Sequence, residues 1–263
     1  GYQPTENFNF YAGPVYQTIE GDVQLRGLAY GGSATFGGYN VSFKETGDIG
    51  WLAGAAFQIP DIALKASVTY RSEIEHSVNV KESFNSAGLL AGLNAAPSLN
   101  TDITTPQSVN LDFQTGIMAN TVAFANVRWV DWSSFSIQPY KFGLASKNAT
   151  VQAQTGKSEF DLVGYTDDQI SATVGVGRKL NDQWAGNVSV GWDSGAGNPV
   201  TTLGPTEGYW NVGLGAQFSP TPQTFIAGGV KYFWLGDAKA QVASDFGSSS
   251  YVAEFEDNNA IAY

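Results

Sequence analysis

Cysteine is absent from this sequence, and histidine and methionine occur once each. Without cysteine there is no disulfide, no thiolate metal site and no cysteine nucleophile, a state that fits an exported protein. Charge is also scarce, at 14% of residues, against roughly 25% in soluble globular proteins. The charge present leans acidic, with 13 basic against 24 acidic residues, a net −11 and a pI near 4.4. That balance argues against a nucleic-acid partner, which needs a basic surface. No window approaches the roughly 18 uninterrupted apolar residues of a membrane helix. There is no linker and no low-complexity tract, so residues 1–263 read as a single domain.

Catalytic signatures are missing too. Ser72 and Ser77 neighbour the sole histidine, His76, but no nucleophile-elbow motif accompanies them. His76 is expected at a solvated outer rim. The glycines of 27–38 do not follow a phosphate-loop pattern. Asp167-Asp168 and Glu254, Glu256 and Asp257 lack the spacing of a calcium loop. No catalytic residue, metal site or cofactor is expected.

What is present is strict alternation punctuated by tight turns. Ile59-Pro60-Asp61, Ala119-Asn120-Thr121, Leu180-Asn181-Asp182 and Ser219-Pro220-Thr221-Pro222 each separate stretches of period-two hydrophobicity. The long connections lie elsewhere, near 20–40, 82–105, 136–166, 194–206 and 236–250. Short turns at one end and long loops at the other predict a transmembrane β-barrel. Strands are expected at 7–19, 47–58, 62–80, 107–119, 121–135, 168–179, 183–193, 207–218, 223–235 and 251–263. In 183–193 one face carries Trp184, Val188, Val190 and Trp192; the other carries Asn187, Ser189 and Asp193. In 209–218 Trp210, Val212, Leu214 and Phe218 oppose Asn211, Gly213 and Gln217. Aromatics eight residues apart on a strand tilted by about 40° are separated by roughly 20 Å along the membrane normal, close to the apolar band of an outer-membrane barrel. An apolar outside and a polar inside satisfy every backbone group in lipid without an open edge.

Two sets of residues are candidates for ligand contact. Lys65 and Arg71 alternate with apolar neighbours and are expected to face the lumen, where either could meet an anionic head group. The segment 86–96 is apolar and rich in Ala and Leu, allowing a short helix ended by Pro97. With Phe84, its Leu89, Leu90 and Leu93 are expected either to pack on neighbouring loops or to form an exposed shelf that captures a hydrophobic solute.

Several segments resemble the FadL outer-membrane transporters of Gram-negative bacteria. They are Tyr70-Arg71-Ser72-Glu73-Ile74-Glu75-His76, Trp129-Val130-Asp131-Trp132-Ser133-Ser134-Phe135, Gly191-Trp192-Asp193-Ser194 with Asn198-Pro199-Val200, and Tyr209-Trp210 with Gly213 and Gly215. They occur in that family's order. The resemblance implies an all-β, antiparallel barrel of fourteen strands, of which about ten lie in this segment. It also implies an N-terminal hatch and a gap in the wall through which ligand leaves sideways. Hatch and first strands are expected to be absent from this segment, and the last strand to be cut short. The implied function is passive outer-membrane uptake of long-chain fatty acids or other hydrophobic compounds. Hydrophobic ligand, membrane lipid and lipopolysaccharide are then the partners. A general aqueous porin and a surface-binding structural barrel are the alternatives. Where the family has an acidic-Arg step before the Tyr-Trp pair, this chain has Glu207-Gly208.

Overall fold

The computed structural model describes residues 1–204, 206–241 and 252–263. Its strands are β1 (Phe8–Gln24), β2 (Asn40–Ile59), β3 (Leu64–Arg71), β4 (Ile74–Ser83), β5 (Asn100–Thr105), β6 (Ser108–Met118), β7 (Thr121–Val130), β8 (Ser136–Ile137), β9 (Val163–Gly164), β10 (Gln169–Lys179), β11 (Trp184–Asp193), β12 (Val200–Thr201), β13 (Tyr209–Thr221), β14 (Thr224–Leu235), β15 (Ala238–Gln241), β16 (Ala253–Phe255) and β17 (Asn259–Ala262). Two short helices, α1 (Tyr140–Ser146) and α2 (Ala149–Thr155), lie between β8 and β9.

Twelve strands share one sheet in the order β17-β14-β13-β11-β10-β7-β6-β3-β2-β4-β5, with β1 on the other side of β2. β3 and β4 form one pass broken at Ser72-Glu73, and β5 and β6 another broken at Pro106-Gln107. The twelve strands therefore make ten passes, as alternation predicted. β1 and β17 are the edges of this wall among the described residues. The last expected strand is represented by β16 and β17; its first residue, Tyr251, and residues 242–250 lie outside the described residues.

Alternation sorts the faces as lipid requires. Val188 and Val190 on β11 and Val212 and Leu214 on β13 are exposed outward, whereas Ser189, Asp193 and Asn211 are buried inward. Trp192, Trp210 and Trp234 stand in register across β11, β13 and β14 at the long-loop end. Trp184 and Phe218 pair at the short-turn end, with ring centroids 4.7 Å apart. These are the two aromatic girdles of a membrane barrel.

β1 and β2 are longer than expected. At about 3.3 Å per residue and about 40° of tilt, the 20 residues of β2 rise roughly 50 Å, twice the apolar band. Their outer halves stand above the girdle and, with β4 and β5, form a tower. Among the described residues the buried apolar core cluster lies there: Val41, Phe43, Val78, Val80 and Ile103 from the tower, Leu25, Phe36 and Tyr39 from the 25–39 loop, and Phe84 and Leu90. Phe142, Val151, Phe160 and Leu162 fill the centre from the α1–α2 segment. Phe142 lies 5.1 Å from Phe36, 5.3 Å from Tyr39 and 5.7 Å from Phe160, ring to ring.

The long connection expected at 136–166 is helical in part. Each helix has only seven residues, too short to be helical alone, so tertiary partners hold them. Asn148 caps α2 by accepting from the Thr150 amide at 3.0 Å, and Gly156 ends it in the left-handed region. α1 has no local cap. Its Lys141 and Phe142 amides donate instead to Glu82 of β4, both at 2.8 Å, and Glu82 also accepts from the Tyr39 hydroxyl at 2.8 Å. A carboxylate at a helix N-terminus complements the dipole and its unpaired amides. Burial, reinforced by the charge of Glu82, pushes the Tyr39 hydroxyl well above the ordinary tyrosine range.

Two outcomes test this architecture. Val188→Arg, at the midpoint of the lipid face, should destabilise the folded barrel by about 2–4 kcal/mol in denaturant titrations from vesicles. Glu82→Ala removes the acceptor of three hydrogen bonds and should cost the cap at least about 3 kcal/mol, since bonds to charged groups contribute about 1.5–3 kcal/mol each. Lost hydrogen-exchange protection at Phe142 and faster proteolysis within 140–160 would report it, with the barrel still resistant to detergent. Because the Tyr39 shift is upward, its contribution is complete below the ordinary value of 10.0 and declines as pH rises above it. Cap protection should therefore show no tyrosine-linked loss from neutrality to about pH 10.

Candidate functional site: the lumen beneath the cap

Between the girdle and the cap lies a lumen cavity of about 700 Å³. Its walls come from seven of the ten passes and the segments joining them, because inward positions at the same height converge there. Arg71 and Ile74 contribute from the broken β3–β4 pass, Ser108 from β6, Arg128 and Val130 from β7, Gln169 and Ser171 from β10, and Asp193 from β11. Trp132 and Phe135 close it above. The polar members are tied together. Trp132 Nε1 donates to Gln169 Oε1 at 2.8 Å, and Gln169 Nε2 donates to Asp193 Oδ1 at 2.8 Å. Asp193 also accepts from the Gly195 amide at 2.9 Å. The cavity thus combines aromatic and aliphatic surface with two guanidinium groups, an arrangement that suits an amphiphile.

Arg71 lines this cavity as expected. Lys65 shares its face of β3, pairing with Gln58 and Gln114, but lies toward the short-turn end, away from the cavity. Arg128 was not singled out from the sequence, although its alternation with Val127 and Trp129 was a usable signal. Of the expected shelf, Phe84 and Leu90 are buried in the cap core, Leu93 packs against it, and Leu89 remains exposed. The segment is apolar chiefly because it packs. Residues Ala91–Ala95 form a short 3₁₀ turn there, ahead of Pro97.

His76 is not at a solvated rim: it is fully buried. The ladder between β2 and the β3–β4 pass is interrupted above the girdle. Pairing stops at Leu52 with Arg71 and resumes at Phe43 with Val80. The His76 ring occupies the interruption, its Nε2 3.2 Å from Gln17 Oε1 and its Nδ1 3.1 Å from Asp48 Oδ2. The latter is an ion-pair distance without the alignment of a hydrogen bond. Thr105 Oγ1 donates to the same Gln17 oxygen at 2.7 Å. Polar side chains thus stand where backbone pairing is missing. Below this point the ladders from β1 through β14 are continuous across the apolar band.

Elsewhere the acidic pairs have structural partners. Asp168 accepts from the Ser133 hydroxyl at 2.6 Å and from Trp129 Nε1 at 3.0 Å. The Ser133 hydrogen bond, first among its causes, holds the Asp168 carboxyl below the usual range. No cluster of three or more acidic or histidine side chains placed to hold a metal occurs among the described residues. Gly208, which departs from the family pattern, has φ +62°, and a Cβ there would collide with the Asp193 carbonyl oxygen. The backbone at that step excludes an arginine side chain without rearrangement.

Comparison with known proteins completes the assignment. The sequence matches the model of a family described as outer membrane protein transport protein (OMPP1/FadL/TodX) over residues 2–262. No curated protein sequence is significantly similar to it. Solved structures of similar fold include a CymD monoaromatic hydrocarbon channel (TM-score 0.55, 13% identity, covering 89% of this chain and 66% of that one). The Pseudomonas putida toluene transporter TodX gives TM-score 0.53 at 13% identity, covering 88% and 61%. The Ralstonia pickettii toluene transporter TbuX gives 0.51 at 12%, covering 90% and 60%. The chain spans less than two thirds of the length of these structures. With its outward apolar band, aromatic girdles and capped lumen, the chain belongs to the OMPP1/FadL/TodX family and is an outer-membrane β-barrel segment.

Proposed function

We propose that the protein takes up hydrophobic small molecules across the outer membrane by passive transport. The carrying observation is the half-open cavity of about 700 Å³ between the apolar cap and the lipid-facing wall, where aromatic and aliphatic side chains meet two guanidinium groups. Related structures named for toluene and monoaromatic hydrocarbons support aromatic hydrocarbons as one substrate class. Long-chain fatty acids are a second, supported by Arg71 and Arg128, either of which suits a carboxylate. Leu89 and Leu93 are accessory contacts, since Phe84 and Leu90 are committed to the cap. Lys65 suits an anionic end nearer the short-turn side. Membrane lipid is the neighbour of the girdled band, and lipopolysaccharide that of the tower's outer face, where Glu75 and Lys81 are exposed.

Reconstitution of the full-length protein tests the reading. It should carry labelled oleate and toluene with little steady ion conductance; steady conductance without solute uptake would establish an aqueous porin. Arg71→Ala should lower oleate uptake about tenfold, as expected for losing one charge-assisted hydrogen bond of about 1.5 kcal/mol, and leave toluene uptake unchanged. Equal losses for both solutes would remove the head-group role.

A further inference from the structure

The lipid-facing band is almost free of charge, and its one exception lacks a partner. Between the two girdles, the outward positions of the described strands carry a single ionic side chain, Arg178 on β10. Its direction follows from alternation, since Val174 and Val176 on the same face are exposed and pair with Val190 and Val188. Lys65, Arg71, Arg128 and Lys231 all belong to the inward set.

Arg178 pairs with Gly186, and Trp184 of the short-turn girdle lies two residues further along the same face. At about 3.3 Å per residue and about 40° of tilt, its backbone sits roughly 5 Å inside that girdle and roughly 15 Å from Trp192. An arginine on a lipid face is costly at the midplane but tolerated near an interface, where its stem lets the guanidinium reach the head groups. No ion pair of Arg178 exists among the described residues. Asp182, the acid on the adjoining turn, is held instead by Lys179 at 2.9 Å. The surrounding leaflet is therefore the source of its counter-charge.

The wall beside Arg178 is hollowed. Gly186 on β11, Ala216 on β13 and Gly228 on β14 continue its row in register, strand to strand. Trp184, Phe218 and Ile226 form the next outward row on the short-turn side, and Val188, Leu214 and Val230 the next on the other. At about 4.8 Å between strands, the trough runs roughly 14 Å from β10 to β14. Packing within the protein does not require it. A Cβ on Gly228 would meet no atom within 4 Å, and one on Gly186 only the Gly215 carbonyl oxygen at 3.4 Å. Glycine inside a strand weakens it and often marks a close approach by a ligand. The small residues shape the trough, and the unpaired guanidinium sets the chemistry of what fills it.

Short turns of an outer-membrane barrel face the periplasm, so the leaflet at this height is the one built of phospholipid. A phosphodiester accepts paired hydrogen bonds from a guanidinium, and its acyl chains match an apolar trough. We propose that Arg178 and the trough of Gly186, Ala216 and Gly228 form a binding site for one glycerophospholipid of the periplasmic leaflet, with its phosphate on the guanidinium and an acyl chain in the trough. The site depends on the barrel's place in the outer membrane and not on what the lumen carries.

Native mass spectrometry of the full-length protein, purified in a maltoside detergent and mixed with dioleoylphosphatidylglycerol, tests the site. The wild-type barrel should retain one phospholipid. Arg178→Gln should lower the retained fraction about tenfold, the change expected for losing one charge-assisted hydrogen bond. Arg178→Lys should keep most of it, and Lys179→Gln should leave it unchanged. Ala216→Leu, which fills the trough and spares the cation, should lower it as well. Heat-modifiable migration in gels establishes that each variant is folded. Dioleoylglycerol, which has the chains without the phosphate, should not be retained. Equal retention by wild type and either Arg178→Gln or Ala216→Leu overturns the site, as does dioleoylglycerol held as firmly as the phospholipid. A doubled mass would place a second copy of the chain on this face and overturn it too.

Discussion

Lipid imposes the constraint from which this structure follows. A strand crossing hydrocarbon must satisfy every backbone donor and acceptor on its neighbours and present apolar side chains outward. β10, β11 and β13 follow this across the band, with valine, leucine and tryptophan outward and serine, asparagine, aspartate and glycine prominent inward, whereas β14 keeps Val230 and Trp234 outward but turns Phe233 inward opposite Asn211. The same constraint removes the usual hydrophobic core. Among the described residues the buried apolar cluster lies where the strands leave the membrane.

That core accounts for the length of β1 and β2 and for the aromatic content of the loops. Tower strands reverse the polarity of the band: Val41, Phe43, Val78 and Val80 point inward, while Glu75 and Lys81 point out. Loops that are extracellular in topology are therefore buried in packing. Glu82 unites the parts, since one carboxylate joins a tower strand, the 25–39 loop through Tyr39, and the first turn of α1. Buried acceptors of this kind are stable only when filled. The cap and tower are consequently one unit, distinct from the barrel wall beneath.

The cavities divide electrostatically along the same axis. Outside, a cavity of about 460 Å³ between the β7–β10 connection and the 194–204 segment balances Lys157 against Asp161 around the rings of Phe135 and Tyr165. Inside, the lumen holds two arginines to one aspartate. The ladders of the band are continuous in the wall from β1 to β14.

The wall itself was legible in the sequence because period-two alternation is a local property: the order of ten passes, the four tight turns, the lipid face of β11 and β13 and the lumen face of Arg71 all follow from it. Boundaries failed where tertiary contacts extend or interrupt a strand, as in the outer half of β2 and at Ser72-Glu73. The helices were missed because seven residues carry too little periodic signal, and α1 is capped by Glu82, some sixty residues away. His76 looked like a rim residue because its position along β4 was right, but only the missing ladder between β2 and β4 shows that its ring turns inward. Local alternation determined which way each strand residue faces. Only the tertiary structure decided which loops become core, and that Phe135 lines two cavities, because those outcomes depend on contacts between segments far apart in the chain.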